Sequence, residues 1–122
     1  MNEMPAIMRL AAGSAKQAAA RQAVISGNVA NADTPGFRAL DIAPFSPDDD
    51  FGLRRTHPGH LAGREGRTEA FELKGALADP NGNTVDLEDQ VLRGIEASRQ
   101  HDRALTVYRS ALGMMRAGLG RS

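Results

Sequence analysis

The two ends of this 122-residue chain each carry a repeat of apolar and small residues in alternating steps of four and three, and this pattern constrains the fold most. In the first segment the repeat consists of Met4, Met8, Ala11, Ala15, Ala18, Gln22, Ile25, Val29 and Ala32. In the last segment it consists of Leu87, Val91, Gly94, Ser98, His101, Leu105, Tyr108, Leu112, Met115 and Leu119. Sustained repeats of this kind are typical of helices that wind around neighbours. We expect neither stripe to be buried within one small molecule, so the pattern predicts an assembled helical bundle.

The first helix is predicted to begin near Pro5, because proline is tolerated in the first turn, and to end near Asn31. Pro35 disfavours helical geometry in the residue before it, and Gly36 accepts a positive φ. A turn is therefore expected directly after this helix. Gln22 and His101 are polar residues within the two stripes, and they either form ordinary hydrogen bonds in a loose interface or control its register.

The second helix is predicted to begin after Asp86, whose carboxylate can cap the first turn. Asp89 and Arg93 are spaced for an ion pair between successive turns. Gly118 and Gly120 are expected to end the helix. The overall prediction is a mainly α fold in which the long N- and C-terminal helices pair as a coiled-coil-like bundle.

Residues 39–86 differ from both ends, because they are rich in proline and glycine. We expect an irregular, partly disordered middle region with a short β-hairpin, in which Phe71 and Leu73 share one face of a strand. Asn81 and Gly82 predict a type I′ turn. The predicted organisation is one structural unit with an N-terminal helix and turn (1–38), a middle region (39–86) and a C-terminal helix (87–122).

Charge and composition exclude several classes of protein. The formal net charge is zero, and no segment is basic enough to indicate nucleic-acid binding. The absence of cysteine excludes disulfides and thiolate metal sites. No stretch approaches the ~20 apolar residues of a membrane span, and the N-terminus lacks the apolar core of a signal peptide. A chain that leaves the cytoplasm in this form is expected to do so without a cleaved leader.

The residues that suggest chemistry do not complete a site. His57 and His60 have a metal-like spacing, but the intervening Pro-Gly prevents a regular helix and no further ligand lies close by. The segment that starts at Asp79 imitates a calcium loop, yet Thr84 and Gln90 occupy the places of the required glycine and glutamate. We therefore predict no catalytic, metal or cofactor-binding residues and no cofactor, with a small metalloenzyme at the two histidines as an alternative.

Three segments together resemble the flagellar basal-body rod proteins of bacteria: residues 25–38 (ISGNVANADTPGFR), 82–88 (GNTVDLE) and 56–61 (THPGHL). With the terminal repeats, the likeness covers most of the chain. The middle region is short, whereas distal-rod and hook members of this family carry extra β-domains between the same terminal helices. The resemblance is therefore to the proximal-rod members.

The resemblance implies a structural subunit of the proximal rod, a hollow shaft that transmits torque at the periplasmic base of the flagellum. It implies as partners copies of the chain itself, other rod proteins, the rod-base adaptor FliE, the inner-membrane ring protein and the flagellar type III export apparatus. It implies no partner nucleic acid and no direct membrane insertion. The competing hypothesis is a small helical export chaperone or adaptor, which would share the repeats but fold stably alone.

Two groups of residues are predicted to carry this role. The rod motif and its turn comprise Asn28, Asn31, Thr34, Pro35, Gly36 and Phe37. The predicted assembly interface comprises Ile25, Val29, Leu87, Val91, Leu105, Tyr108, Leu112 and Met115. Whether residues 43–70 become ordered on assembly is left open by the sequence.

Overall fold

The computed structural model describes residues 4–47 and 70–120. Its elements, in chain order, are helix α1 (Ala6–Ala30), strand β1 (Leu40–Asp41), strand β2 (Phe71–Glu72) and helix α2 (Leu87–Gly120). The two helices pack against each other along most of their length. They are antiparallel, because Asn28 near the end of α1 bonds Gln90 near the start of α2, while Ser14 bonds Gln100. The predicted mainly α fold of paired terminal helices is confirmed.

Helix α1 buries part of its predicted stripe. The buried members are Met8, Ala11, Ala18 and Ile25, whereas Met4 and Val29 are exposed. The expectation that neither stripe could be buried within one molecule is therefore only partly right for α1. Small residues in this stripe leave room for the backbone of α2 to approach closely, so one partner helix covers its central part.

Helix α2 uses a different seam from the predicted one. Its buried residues are Gln90, Ala97, Ala104 and Ala111, in steps of seven. Each lies one residue before a member of the predicted stripe (91, 98, 105 and 112), so that half of the stripe is wrong by one position, whereas Gly94, His101 and Tyr108 are partly buried beside the seam. The physical reason is that alanines allow the shortest distance between helix axes, which moves the larger side chains to the flanks of the contact.

The start of α2 follows the prediction. The Asp86 carboxylate accepts the backbone N–H of Glu88 at 3.0 Å and that of Asp89 at 3.3 Å, which confirms the cap. The Arg93–Asp89 pair is also present, with Nε 2.6 Å from Oδ2. The helix continues through Gly118 and its last residue is Gly120, one of the two glycines expected at its end.

The strands form one short antiparallel pair in which Leu40 lies opposite Glu72 and Asp41 opposite Phe71. The N–H of Leu73 extends it by donating to the Ala39 carbonyl at 2.9 Å. This pair connects the segment after α1 to the segment before α2, so it holds both ends of the middle region beside the helix pair.

The turn at residues 79–82 is not of type I′. That type needs a positive φ at both central residues, and among the described non-glycine residues none has one. The Gly82 N–H instead donates to the Asp79 carbonyl at 2.8 Å, with Pro80 in the second position. The predictions for the 56–61 motif and for the two loop histidines lie outside the described residues.

The motif junction as a candidate assembly site

The two sequence motifs 25–38 and 82–88 are far apart in the chain but lie against each other in the structure. Side-chain and backbone hydrogen bonds connect them at the end of the bundle where α1 ends and α2 begins. We call this contact region the motif junction. Its members are Asn28, Asn31, Thr34, Gly36 and Phe37 on one side, and Asn81, Asn83, Thr84 and Gln90 on the other.

Asn28 lies at the centre of the motif junction and is 1% exposed. Its Nδ2 donates to the Leu40 carbonyl at 2.8 Å and to Oε1 of Gln90 at 2.9 Å. Its Oδ1 accepts the Leu40 N–H at 3.0 Å. One amide side chain therefore joins α1, β1 and α2, and its hydrogen-bonding groups are satisfied despite complete burial.

Asn83, in the second motif, donates hydrogen bonds to the first motif and is also 1% exposed. Its Nδ2 donates to the Asn31 carbonyl at 2.9 Å and to the Thr34 carbonyl at 2.7 Å. Its Oδ1 accepts the Val85 N–H at 2.8 Å. Carbonyls at and beyond a helix C-terminus lack helical partners, so the second motif closes the end of the helix formed by the first.

Backbone polar groups of the turn after α1 also find hydrogen-bonding partners in the segment before α2. The Thr84 N–H donates to the Phe37 carbonyl at 3.0 Å, and the Thr84 hydroxyl accepts the Ala39 N–H at 2.8 Å. The Gly36 N–H donates to the Asn81 carbonyl at 2.9 Å. Each motif thus supplies hydrogen-bonding partners for the backbone of the other.

Two glycines permit the close approach of the motifs. Gly36 has a φ of 75° and Gly82 a φ of 85°, in the left-handed region that disfavours side chains. A Cβ placed on Gly82 would lie 3.4 Å from the Cα of Gly36. The backbone conformation therefore favours glycine at position 82, where a Cβ would be in close van der Waals contact with Gly36.

An ion cluster beside the motif junction ties the helices to β1. Asp41 is 5% exposed and accepts from Nε of Arg21 at 3.1 Å and from Nη1 of Arg93 at 2.6 Å. Its Oδ1 also accepts the Ile42 N–H at 2.8 Å. The hydrogen bond from Arg93 to Asp89, together with the nearby carboxylate charges, raises the pKa of Arg93 above its ordinary value. The guanidinium therefore remains charged at any physiological pH.

Replacing Asp41 with alanine is expected to lower the free energy of unfolding by about 2 kcal/mol, because Arg21 and Arg93 lose a shared, mostly buried acceptor. The matched control is Glu72→Ala, which removes the half-exposed partner of Arg38 in the adjacent strand. Exposed pairs contribute about 0–1 kcal/mol. Urea unfolding followed by circular dichroism measures both variants, and equal losses would contradict a special role for Asp41.

Most of the predicted turn residues take part in the motif junction. Asn31 additionally donates from Nδ2 to the Gly27 carbonyl at 2.8 Å, and Thr34 donates from its hydroxyl to Oδ1 of Asn31. Pro35 is exposed. The structure brings the other five predicted turn residues together in the motif junction: Asn28, Asn31, Thr34, Gly36 and Phe37.

The predicted assembly residues are divided among three environments. Ile25 is buried and faces Gly94: its Cγ2 lies 3.9 Å from the point that a Cβ on Gly94 would occupy. Three are half-buried: Leu105, Tyr108 and Leu112. Four are exposed: Val29, Leu87, Val91 and Met115. Their role between molecules stays a prediction.

Sequence reasoning missed the polar residues that connect the helices. Besides Gln90 and Asp41, these include Gln100, whose Nε2 donates to Oε1 of Gln17 at 2.8 Å and to the Ser14 carbonyl at 3.0 Å. Gln17 in turn donates to the Ala43 carbonyl. The sequence does contain one indication of these contacts, because glutamines occur on both helices within or next to the rows of alanines.

Two classes of site receive no support within residues 4–47 and 70–120. That part of the chain contains no group of three or more histidine, cysteine or acidic residues able to hold a metal ion. Neither of its two helices is both long and apolar enough to cross a membrane.

The chain is thus a pair of long antiparallel helices that two sequence motifs join at one end. The family model described as "Flagella basal body rod protein" matches residues 8–38. The chain is 30% identical over 120 residues to the flagellar basal body rod protein FlgB of Agrobacterium fabrum, which covers 89% of each chain. It is 32% identical over 107 residues to FlgB of Aeromonas hydrophila, covering 80% of each, and 29% identical over 131 residues to FlgB of Salmonella typhimurium, covering 94% of each.

The chain belongs to the flagellar basal body rod protein family, and the relatives that it matches bear the name FlgB. It is a structural subunit of the flagellar basal body, where it assembles with other rod components. The family is a structural one and not a family of enzymes. The matched relatives are named as rod proteins, which favours this function over an export chaperone.

Proposed function

We propose that this chain is a subunit of the proximal rod, where it forms part of a hollow, torque-transmitting shaft. The observation that carries this proposal is the motif junction, which joins the two terminal helices into one unit through buried, directional hydrogen bonds. We propose that residues 1–38, 39–86 and 87–122 act together as this unit. A shaft subunit must transfer load from one helix to the other without a change of register.

The contacts between α1 and α2 suit that mechanical task. A seam of small residues is smooth, so it resists sliding of one helix along the other only weakly. Hydrogen bonds and ion pairs depend on direction and distance, and therefore oppose such sliding. Polar contacts between the two helices occur at three points along the pair: Asn28–Gln90, Arg21–Glu96 and Gln17–Gln100.

We propose specific partners as well. Copies of the chain, other rod proteins, the adaptor FliE and the inner-membrane ring protein would contact the faces that the helix pair leaves exposed. Passage through the flagellar export apparatus requires a chain that unfolds readily. The described core supports this requirement, because alanine accounts for most of its buried apolar residues and buries little area.

Phe37→Ala and Gly36→Val are expected to block rod assembly while leaving export intact. The first removes the aromatic side chain of the turn, and the second places a branched side chain at a φ of 75°. Each variant would replace the wild-type gene in its own bacterium, with swimming motility, rod content and exported protein as the measurements. Ser26→Ala, an exposed change on α1, serves as the control. Motile cells carrying either turn variant would contradict the proposed role of the turn.

A further inference from the structure

Helix α2 extends well beyond the start of α1. Ser14 lies opposite Gln100, and the two helices run in opposite directions, so the first residue of α1 lies opposite roughly residue 108. At 1.5 Å per residue, α2 continues about 18 Å further. We call residues 112–120 the overhang.

The overhang continues the line of the seam that faces α1, but nearly all of its residues are exposed. Ala111 is the last buried residue of α2, and every residue from 113 to 120 is exposed. Met114 and Met115 lie three and four residues after Ala111, and are 70% and 39% exposed, respectively. Methionine side chains are flexible and adapt to varied apolar partners. The overhang therefore offers an adaptable apolar surface in line with an existing helix–helix interface.

A second apolar surface lies at the opposite end of the same helix. We call it the leading patch, and its members are Leu87, Val91, Leu92 and Ile95, between 44% and 62% exposed. Residues 87, 91 and 95 are spaced four apart and so form one row along α2. Gln90 and Ala97 face α1, which places this row on the outer side of the bundle.

The two surfaces carry opposite charge. The leading patch is accompanied by Asp86 and Glu88, whereas Arg93 and Glu96 beside it are already engaged, Arg93 by Asp41 and Asp89 and Glu96 by Arg21. One exposed arginine, Arg99, follows the row after Ile95, so the patch is acidic mainly at its N-terminal end. Residues 106–120 contain two arginines, at positions 109 and 116, and no acidic residue. This arrangement also suits the dipole of α2 itself, but the exposed apolar residues at both ends are not explained by the dipole.

We propose that the overhang of one copy of this chain docks on the leading patch of a second copy. The contact joins two different surfaces, which lie about 28 Å apart between residues 95 and 114 along one helix. Such a head-to-tail contact leaves a free overhang at one end and a free patch at the other, so it can be repeated without closing. The inference deepens the proposed function, on which it rests, by naming the partner and the surfaces.

The test uses two double variants of the full chain. The overhang variant is Met114→Glu with Met115→Glu, and the patch variant is Val91→Glu with Ile95→Glu. Val107→Glu makes the same type of change on α2, at a 40% exposed position outside both surfaces, and serves as the control. Circular dichroism at 222 nm verifies that each variant keeps its helices.

Sedimentation velocity over a concentration series gives the expected result. The wild type and the control form species that grow beyond dimers as concentration rises, and each double variant associates at least tenfold more weakly. An equimolar mixture of the two variants stops at a dimer, because only one intact overhang and one intact patch remain to meet. The mixture therefore separates a head-to-tail contact from a symmetric one.

A charge exchange provides a second measurement that does not disturb the apolar residues. Arg116→Glu and Glu88→Arg are each expected to weaken association, since each places like charges in the contact. The chain carrying both changes is expected to recover at least half of the lost association. Lack of recovery would overturn the proposed orientation.

Three outcomes overturn the inference. They are a wild type that stays monomeric at every concentration, an overhang variant that still dimerises alone, and a mixture that yields no dimer. A monomeric wild type whose cells nevertheless build rods would overturn the head-to-tail contact alone, since another helical protein would then cover these surfaces. Cells that build complete rods without the chain would contradict the proposed function itself.

Discussion

Asn28→Leu is expected to lower the free energy of unfolding by about 3–5 kcal/mol, one of the largest effects of any single change in the described part of the chain. Leucine has a similar size but offers no hydrogen bonds. The Leu40 N–H and carbonyl and the buried Gln90 amide would all lose their partner. Each buried polar group left unsatisfied costs about 1–3 kcal/mol. Urea unfolding of purified protein, followed by circular dichroism, measures the loss.

The control for Asn28 is Ser26→Ala, an exposed change two residues earlier on α1, with an expected effect within about 0.5 kcal/mol. The double variant with Gln90→Leu adds a sharper test. Replacing both partners by apolar side chains removes the orphaned amide of Gln90, so the double variant should lose less than the sum of the single losses. Strictly additive losses would contradict a direct bond between the two side chains.

Gly82→Val is expected to lower the free energy of unfolding by about 2–4 kcal/mol. A left-handed backbone costs a residue with a side chain about 1–2 kcal/mol, and a branched side chain at this position would also press on Gly36. The motifs would then separate, and the bond from the Gly36 N–H to the Asn81 carbonyl would weaken. Amide hydrogen exchange at Gly36 should therefore accelerate together with the loss of stability.

Gly75→Val separates the two contributions to that loss. Gly75 has a φ of 81°, but nothing lies within 4 Å of a Cβ placed on it. This control therefore carries the backbone strain without the close contact. If Gly75→Val and Gly82→Val were equally destabilising, the close approach of the two motifs would contribute nothing to stability.

Local chemistry explains which parts of the fold were predictable. The limits of α1, the cap at Asp86 and the pair Asp89–Arg93 depend on residues within a few positions of one another. The turn after α1 follows from Pro35 and Gly36 for the same reason. Such features can be recognised in a single segment, because the interacting groups are neighbours in the sequence.

The seam of α2 could not be found by following the largest apolar residues. That rule selects Val91, Leu105 and Leu112, whereas close helix packing favours the alanines that precede two of them. The choice depends on how near the facing helix approaches, and this distance is set by α1. A pattern read within one helix does not contain that information.

The motif junction was predictable only in part. Asn28, Asn31 and Gly36 belong to a motif that marks them as important, but their partners in the second half of the motif junction lie 45 to 62 residues away. In the sequence Gln90 stands out only as a residue unsuited to bind calcium, and Asp41 belongs to no distinguishing pattern. Both acquire their roles when the antiparallel pairing of the helices brings them beside Asn28 and Arg93.

Cryo-electron microscopy of isolated basal bodies from cells that express this chain would show whether it is a rod subunit whose two helices act as one unit. We expect density for the chain in the wall of the rod, with α1 and α2 antiparallel and Asn28 beside Gln90. Complete rods whose density and peptide content include no copy of this chain would contradict it.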